Sequence, residues 1–154
     1  FKQKTAYEIP KRDWSSDVCS SDLKKYRSGW CFADVTDEWR VKTFTGIEEG
    51  STSNRAEMLA VIEALKYANG RECVIFTDSM LVANGASTWV WELERTGWKT
   101  LRGNDVANKD LWQDLLEVLL ISQAEIKWIK GKNTRSPHYY FNKLADSEAK
   151  RVVR

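Results

Sequence analysis

The chain has few of the residues that build disulfide frameworks, zinc sites or membrane spans. Its 154 residues include three cysteines and one histidine. Cys19, Cys31 and Cys73 form neither a CxxC pair nor an even set, which argues against a disulfide framework and the usual zinc constellations. No run approaches the roughly eighteen apolar residues of a transmembrane helix, and the start lacks the apolar core of a secretory signal. We therefore expect a soluble, cytoplasmic protein with no membrane partner.

Charge is nearly balanced, and hydrophobic content is sufficient for one core. The 24 basic and 22 acidic residues give a net charge of +2, which by itself does not indicate a nucleic-acid partner. A hydrophobic fraction of 42% with eight tryptophans supports one compact domain, and no internal repeat points to a solenoid. We expect a monomer.

The first 23 residues differ in origin from the rest. Asp13–Leu23 (DWSSDVCSSDL) back-translates to DNA that resembles a common short-read sequencing adapter, and Lys2–Glu8 (KQKTAYE) resembles the flow-cell end of the same adapter. The two matches occur in the right order, so residues 1–23 are interpreted as artefactual and set aside from fold reasoning. The alternative is a natural polar arm. Residues 24–154 are then the folded domain, shortened at its N-terminus.

From Trp30 onward the chain has the pattern of an α/β domain. Trp30–Val35 and Trp39–Phe44 are β-prone runs that predict an antiparallel hairpin. Glu57–Ala68 has apolar residues at helical spacing, and Asn69-Gly70 supplies a stop signal. The apolar run Cys73–Phe76 predicts a buried central strand that ends at Thr77-Asp78-Ser79.

Three further elements complete a mixed-sheet order. Leucines and a tryptophan between Leu111 and Leu119 predict an amphipathic helix, Glu125–Lys130 a last strand, and Asn142–Val153 a terminal helix. The sequence therefore predicts a mixed sheet flanked by helices.

Three acidic residues could converge at one edge of this sheet. Glu57 opens the first helix, Asp78 ends the central strand and Asp146 lies in the terminal helix. Carboxylates and waters suit Mg²⁺, and two such ions can neutralise the attacking and leaving oxygens of a phosphodiester. Each residue also has a structural interpretation: Glu57 a capping partner of Asn54, Asp78 a helix cap, and Asp146 a charge on a solvated face.

The strings around these acids resemble a known enzyme family. SNRAE at 53–57, FTDS at 76–79 and NKLADSEAK at 142–150 are similar, in the right order, to the second, third and fourth acidic motifs of type 1 ribonuclease H. The resemblance covers about residues 29–154. It implies a five-stranded mixed sheet and endonucleolytic hydrolysis of the RNA strand of RNA–DNA hybrids. It also implies that Glu57, Asp78 and Asp146 are catalytic and hold two Mg²⁺ ions, for which Mn²⁺ can substitute.

The same resemblance implies substrate-binding residues. Thr52, Asn54 and Arg55 match the stretch before the family's helical glutamate, and Lys150 matches a basic residue that supports phosphate. Trp89–Lys109 resembles the basic handle that grips the DNA strand, and its TGWKT string at 96–100 makes Trp98 and Lys99 binding candidates. Within and beside this handle, Trp89, Leu93 and Trp112 are expected in the core.

The front of the chain departs from the family pattern. The family's first strand ends in an aspartate, and here the adapter-like segment, with Asp13–Asp17 in the strand's place, occupies that position. The missing aspartate would fall near Val18, so Asp17 lies one residue out of register, and a slip of one turns a strand side chain to the opposite face. His138, in a predicted loop at 132–141, is a candidate helper in proton transfer. Two alternatives stay open: a catalytically impaired binding module for hybrids or double-stranded RNA, and another nuclease of the same superfold.

Overall fold

The fold consists of a mixed β-sheet with helices on both faces. The computed structural model describes residues 5–9, 27–35, 40–50, 52–130, 135 and 138–153, with the backbone alone for 5–9. In these ranges the strands are β1 (Thr5–Ile9), β2 (Arg27–Asp34), β3 (Lys42–Glu49), β4 (Cys73–Thr77) and β5 (Ala124–Trp128). Their order across the sheet is β3-β2-β1-β4-β5.

The sheet divides into an antiparallel half and a parallel half. β1 and β2, and β2 and β3, pair antiparallel, whereas β1 and β4, and β4 and β5, pair parallel. Ile9 is opposite Thr77, and Thr77 is opposite Trp128. The carboxyl ends of three neighbouring strands therefore meet at one edge, the usual place for a site in parallel sheets.

Five α-helices and one π-helical segment surround the sheet in the described residues. The helices are α1 (Ser53–Ala68), α2 (Met80–Asn84), α3 (Val90–Arg95), α4 (Lys109–Leu120) and α5 (Tyr139–Val152), and the π-helical segment Gly85–Trp89 joins α2 to α3. None of the helices in the described ranges has the length and apolar character needed to cross a membrane.

Alternation along β2 separates the two faces of the sheet. Phe32 belongs to the main core with Met58, Ile62 and Ile75, whereas Cys31 packs with two alanines of α5. Successive strand residues point to opposite faces, so this one strand carries both layers. The helices α1 and α4 cover one face and α5 the other.

Close approach of α5 to the sheet depends on Gly29. A Cβ at this position would lie 2.2 Å from the carbonyl oxygen of Ala149. Ala145 and Ala149 are fully buried beneath Cys31. Small residues on both elements thus allow the helix that carries Asp146 to lie directly on β2.

The predicted elements are present, with shifted boundaries. The helix predicted at Glu57–Ala68 begins at Ser53, since Thr52 is its N-cap. The second hairpin strand runs over Lys42–Glu49 instead of 39–44, because β2 already begins at Arg27 and pairs residue by residue as far as Glu49. The prediction relied on apolar residues and therefore missed this start, because Arg27 and Ser28 are polar.

The first strand is the main correction. The expected place for it was Asp13–Asp17, which lies outside the described residues. The described first strand is Thr5–Ile9, earlier in the adapter-like segment, and it lies between β2 and β4. Backbone hydrogen bonds in a ladder require no particular side chain, so a segment without the family's motif can still fill a strand position.

We expect Gly29→Ala to destabilise the protein by about 3 kcal/mol, because the new methyl overlaps the backbone of α5. Urea unfolding followed by circular dichroism measures this. The matched control is Gly50→Ala: no atom lies within 4 Å of a Cβ there and φ is +62°, so only the left-handed backbone is penalised, by about 1 kcal/mol. Equal losses in the two variants would contradict the close approach.

Candidate active site

Asp78 lies at the carboxyl edge of the parallel half of the sheet. Its backbone is fixed on both sides: Thr77 Oγ1 accepts a hydrogen bond from the Ser79 amide at 3.1 Å, and Trp128 Nε1 donates to the Asp78 carbonyl at 3.2 Å. The N-cap of α2 is Ser79, whose hydroxyl accepts from the Val82 amide. Ser79 therefore performs the capping that was considered for Asp78, and the Asp78 side chain is left for another role.

Asn142 connects Asp78 to the terminal helix. Its Nδ2 donates to Asp78 Oδ2 at 3.4 Å, and its side chain is only 6% exposed. The Oδ1 atoms of Asn142 and Asp78 are buried and accept no hydrogen bond from the described residues, although Asp78 has other contacts. This bond brings the first turn of α5 to the end of β4.

Glu57 is a carboxylate inside the core. It is 2% exposed and lies in α1 between the buried residues Ala56 and Met58. The alternative interpretation of Glu57 as a capping partner of Asn54 is wrong, because Thr52 is the N-cap and Glu57 is already in the second turn. A buried carboxylate is costly unless a cation or hydrogen bonds compensate it, so a structural cap does not account for Glu57.

Asp146 lies one helical turn beyond Asn142. The two residues are four apart and so share a face of α5, and Asp146 is half-buried with Lys150 Nζ 3.3 Å from its Oδ2. Among the described residues, no three His, Cys, Asp or Glu side chains are gathered closely enough to hold a metal ion. The structure therefore brings α5 to Asp78 through Asn142, with the Asp146 carboxylate held by Lys150.

The handle is closed by backbone and ionic contacts. Trp98, at φ +63°, exchanges backbone bonds with Leu93 and Val106 and is partly buried against the core. Lys99 Nζ lies 2.6 Å from Asp105 Oδ1, and Lys109 approaches the same oxygen at 3.5 Å. The two lysines lower the pKa of Asp105, with the Lys99 hydrogen bond contributing most.

The packing expectations for the handle are confirmed only in part. Trp112 is 6% exposed and Leu93 packs against the core, as expected. Trp89 is 44% exposed, so its predicted core position is wrong. The π-helical segment widens the helix at Gly85–Trp89 and changes the spacing on which the prediction relied.

Arg55 has its whole guanidinium engaged within the chain. Nε and Nη2 donate to the two oxygens of Glu48 at 3.2 and 2.9 Å. Nη1 and Nη2 donate to the two oxygens of Asp110 at 2.9 and 2.8 Å, and Nη1 also reaches Asn108 Oδ1 at 3.5 Å. The Arg55 hydrogen bond lowers the pKa of Asp110, and the two acids raise the pKa of Arg55.

His138 lies beside the site but packs as an aromatic. Its ring is 4.0 Å from the Phe76 ring, centre to centre, and burial lowers its pKa. It directly precedes α5. Asp17 and Lys132, the other residues of the predicted proton-transfer and first-strand regions, lie outside the described residues.

Sequence reasoning missed Asn142, Trp128 and Asp110. The signal for Asn142 was present, because it lies one turn before Asp146 in the string that carries the resemblance. Trp128 could have been placed by the parallel pairing that sets it beside Thr77. Asp110 gave no local signal, since its partner Arg55 is 55 residues away.

Comparison with known proteins decides the family. The model of the family described as RNase H matches residues 15–154. The chain belongs to the ribonuclease H family. The ribonuclease H of Herminiimonas arsenicoxydans is 40% identical over 129 residues, 82% of this chain and 84% of that protein. The ribonuclease H of Caldicellulosiruptor saccharolyticus is 33% identical over 129 residues, 82% of this chain and 85% of the other.

The ribonuclease H fold is also found in a solved viral structure. The foamy viral protease-reverse transcriptase in complex with an RNA/DNA hybrid superposes with a TM-score of 0.80 at 20% identity. The match covers 98% of this chain and 20% of the viral one, so this chain spans about a fifth of that protein. At this identity the likeness shows the fold, and it confirms the predicted mixed α/β class.

The Arg55 network predicts loss of stability in acid. The folded-state pKa of Asp110 is below its ordinary 3.8, so its ionised form stabilises the protein above that pH. This stabilisation disappears as pH falls through the lowered value. We expect Asp110→Asn to melt lower than wild type near neutral pH and the gap to narrow below pH 3.8 and close as pH falls through the lowered pKa of Asp110, measured as melting temperature by circular dichroism. A gap that does not change with pH would contradict this assignment.

Proposed function

We propose that this ribonuclease H cleaves the RNA strand of RNA–DNA hybrids endonucleolytically, with Glu57, Asp78 and Asp146 as its catalytic, metal-binding residues. The hydrogen bond from Asn142 to Asp78 carries the proposal, because it ties the helix that bears Asp146 to the strand end that bears Asp78. The sheet itself does not require this hydrogen bond. Membership of the family supports hydrolysis of this substrate class.

The donor set fits a hard divalent cation. All three candidates offer carboxylate oxygens, and the sequence supplies no His and Cys set beside them, which favours Mg²⁺ with Mn²⁺ as a substitute over zinc. The burial of Glu57 supports the same choice, since a cation would offset the cost of its charge. Two such ions would neutralise the charge on the attacking and leaving oxygens of the phosphodiester.

The chain's own residues orient and balance these carboxylates. Asn142 holds one oxygen of Asp78, and Trp128 holds the Asp78 backbone, so the carboxylate keeps a fixed direction. Lys150 Nζ lies 3.3 Å from Asp146 Oδ2 and balances part of its charge. A nearby phosphate could attract the Lys150 ammonium and leave Asp146 to a metal ion.

We propose that the hybrid lies across the start of α1 and the handle. Thr52 and Asn54 are exposed at the end of α1 that also carries Glu57. Trp98 and Lys99 are placed on the handle for sugar and phosphate contacts, and Lys150 for phosphate near the acids. Lys99 must exchange its bond to Asp105 for a phosphate, which predicts weak, salt-sensitive binding.

We propose that residues 1–23 do not come from the parent gene and that residues 24–154 form its shortened domain. The adapter-like strings support this proposal, as does the absence of the family's aspartate strand from the chain. β1 fills the central position, and its carboxyl end lies beside the edge where Asp78 follows β4. Activity then depends on whether three carboxylates suffice without the first.

We also propose that the protein acts as a monomer in the cytoplasm. Cys31 and Cys73 are buried free thiols, which suits a reducing compartment. Burial raises the pKa of Cys31 to about 12, so this thiol is inert rather than redox-active.

The chain should cut the RNA strand of an end-labelled RNA–DNA hybrid in Mg²⁺ or Mn²⁺, and Glu57→Gln should lower the rate at least a hundredfold. Removal of one carboxylate takes away a metal ligand while the amide keeps the shape of the side chain. Gel electrophoresis of the RNA products measures the rate. The matched control is Glu63→Gln, a half-exposed acid on the same helix paired with Lys66, which should cut at the wild-type rate.

If the chain as written does not cut, a version with a family-like first strand in place of residues 1–23 decides between two functions. Restored cleavage identifies a nuclease that lacks its first carboxylate. Salt-dependent hybrid binding without cleavage in both versions identifies a binding module. Equal cleavage of duplex DNA would instead indicate another nuclease of this fold.

A further inference from the structure

We propose that Arg55 is a positioning residue that locks the start of α1 to β3 and α4, and that it does not contact the hybrid's phosphates. This rests on the proposed function, because the role of the lock is to place Glu57 relative to the handle. It replaces the substrate contact that the family resemblance implies for Arg55.

All the donors of the Arg55 guanidinium are used within the chain. A guanidinium has five N–H groups and cannot lose its proton in a protein. The five hydrogen bonds of Arg55 go to Glu48, Asp110 and Asn108, so each N–H has an acceptor inside the chain. A phosphate would have to displace one of two paired carboxylates.

Displacing one of these carboxylates from Arg55 would be costly. The Arg55 side chain is only 23% exposed and Glu48 27% exposed, so their pair is partly shielded from water, whereas Asp110 is 62% exposed. Both acids meet Arg55 through two oxygens, the bidentate geometry that is stronger and more directional than a single ion pair. An incoming phosphate would also face the negative charge of both acids.

The network around Arg55 connects α1, β3 and the start of α4. Arg55 is in the first turn of α1, two residues before Glu57, and its amide donates to the N-cap Thr52. Glu48 belongs to β3. Asn108, at φ +58°, ends the handle loop and caps α4, and Asp110 lies in the first turn of α4. One side chain therefore fixes the catalytic helix, the sheet edge and the base of the handle.

The function of this network is to keep the distance between the handle base and the start of α1 constant. A hybrid held by Trp98 and Lys99 presents its scissile phosphate to Glu57 only if the handle base and α1 keep a constant separation. Small misplacements in such a constellation can cost two orders of magnitude in rate. Arg55 thus acts through Glu57 and the handle rather than on the substrate.

The test compares Arg55→Gln and Asp110→Asn with two controls. Lys99→Gln removes a proposed phosphate contact, and Lys66→Gln removes an exposed ion pair on the far end of α1. Binding of a fluorescent RNA–DNA hybrid is measured by anisotropy in EDTA over a range of salt concentrations, and kcat and KM are measured in Mg²⁺. Mn²⁺ affinity without substrate is measured by calorimetry.

We expect both network variants to lower kcat about tenfold or more and to weaken Mn²⁺ binding, with an unchanged slope of log affinity against log salt. Lys99→Gln should reduce that slope by about 0.9, the contribution of one phosphate contact. Lys66→Gln should change none of these quantities. If Arg55→Gln does not fold, Asp110→Asn and Glu48→Gln carry the same expectation.

Two results would overturn the proposal. If Arg55→Gln reduces the salt slope while Asp110→Asn tightens hybrid binding, Arg55 is a phosphate contact that Asp110 restrains. If both network variants only melt lower, with kcat and Mn²⁺ affinity unchanged, the network is merely structural. Should the wild-type chain fail to cut, cleavage by the version with a family-like first strand tests the proposed function, and the salt slopes and Mn²⁺ affinities still decide the role of Arg55.

Discussion

Burial of the Glu57 carboxylate is the constraint to which the rest of the structure must conform. Glu57 is 2% exposed, and taking a carboxylate out of water to this extent is costly. The position of this buried carboxylate is kept only if α1 does not rotate or slide. The tight alanine-rich contact of α1 with the core and the Arg55 network both oppose such movement.

Parallel pairing brings the carboxyl ends of several strands to one edge of the sheet. Because β1, β4 and β5 run in the same direction, residues that follow them are delivered to the same edge, and Trp128 and Asp78 become neighbours although fifty positions separate them. The terminal helix reaches this edge from the opposite face of the sheet, through Asn142. Two layers with separate core clusters thus both reach the end of β4, which links the packing of each layer to the position of Asp78.

Local pattern was sufficient for much of the fold. The apolar run of β4, the helical spacing in α1 and the core position of Trp112 all follow from periodicity and burial. What could not be predicted depends on partners far away in sequence. Asn142 and Asp78 are 64 positions apart, and Arg55 and Asp110 are 55 apart, so a short window can indicate Asn142 by its spacing from Asp146 but shows the partner of neither Asn142 nor Arg55. The exposed Trp89 fails for another reason, since a π-helical insertion alters the period itself.

In the described part of the chain, β3 and β5 form the two edges of the sheet. An unpaired edge is a template for strand addition by a second molecule, and proteins oppose this with short strands and charges. β5 is five residues long and carries Glu125 and Lys127 exposed on one side, in an ion pair at 3.6 Å. β3 exposes Lys42 at one end and Glu49 at the other. The exposed charges on both edge strands oppose strand addition by a second molecule.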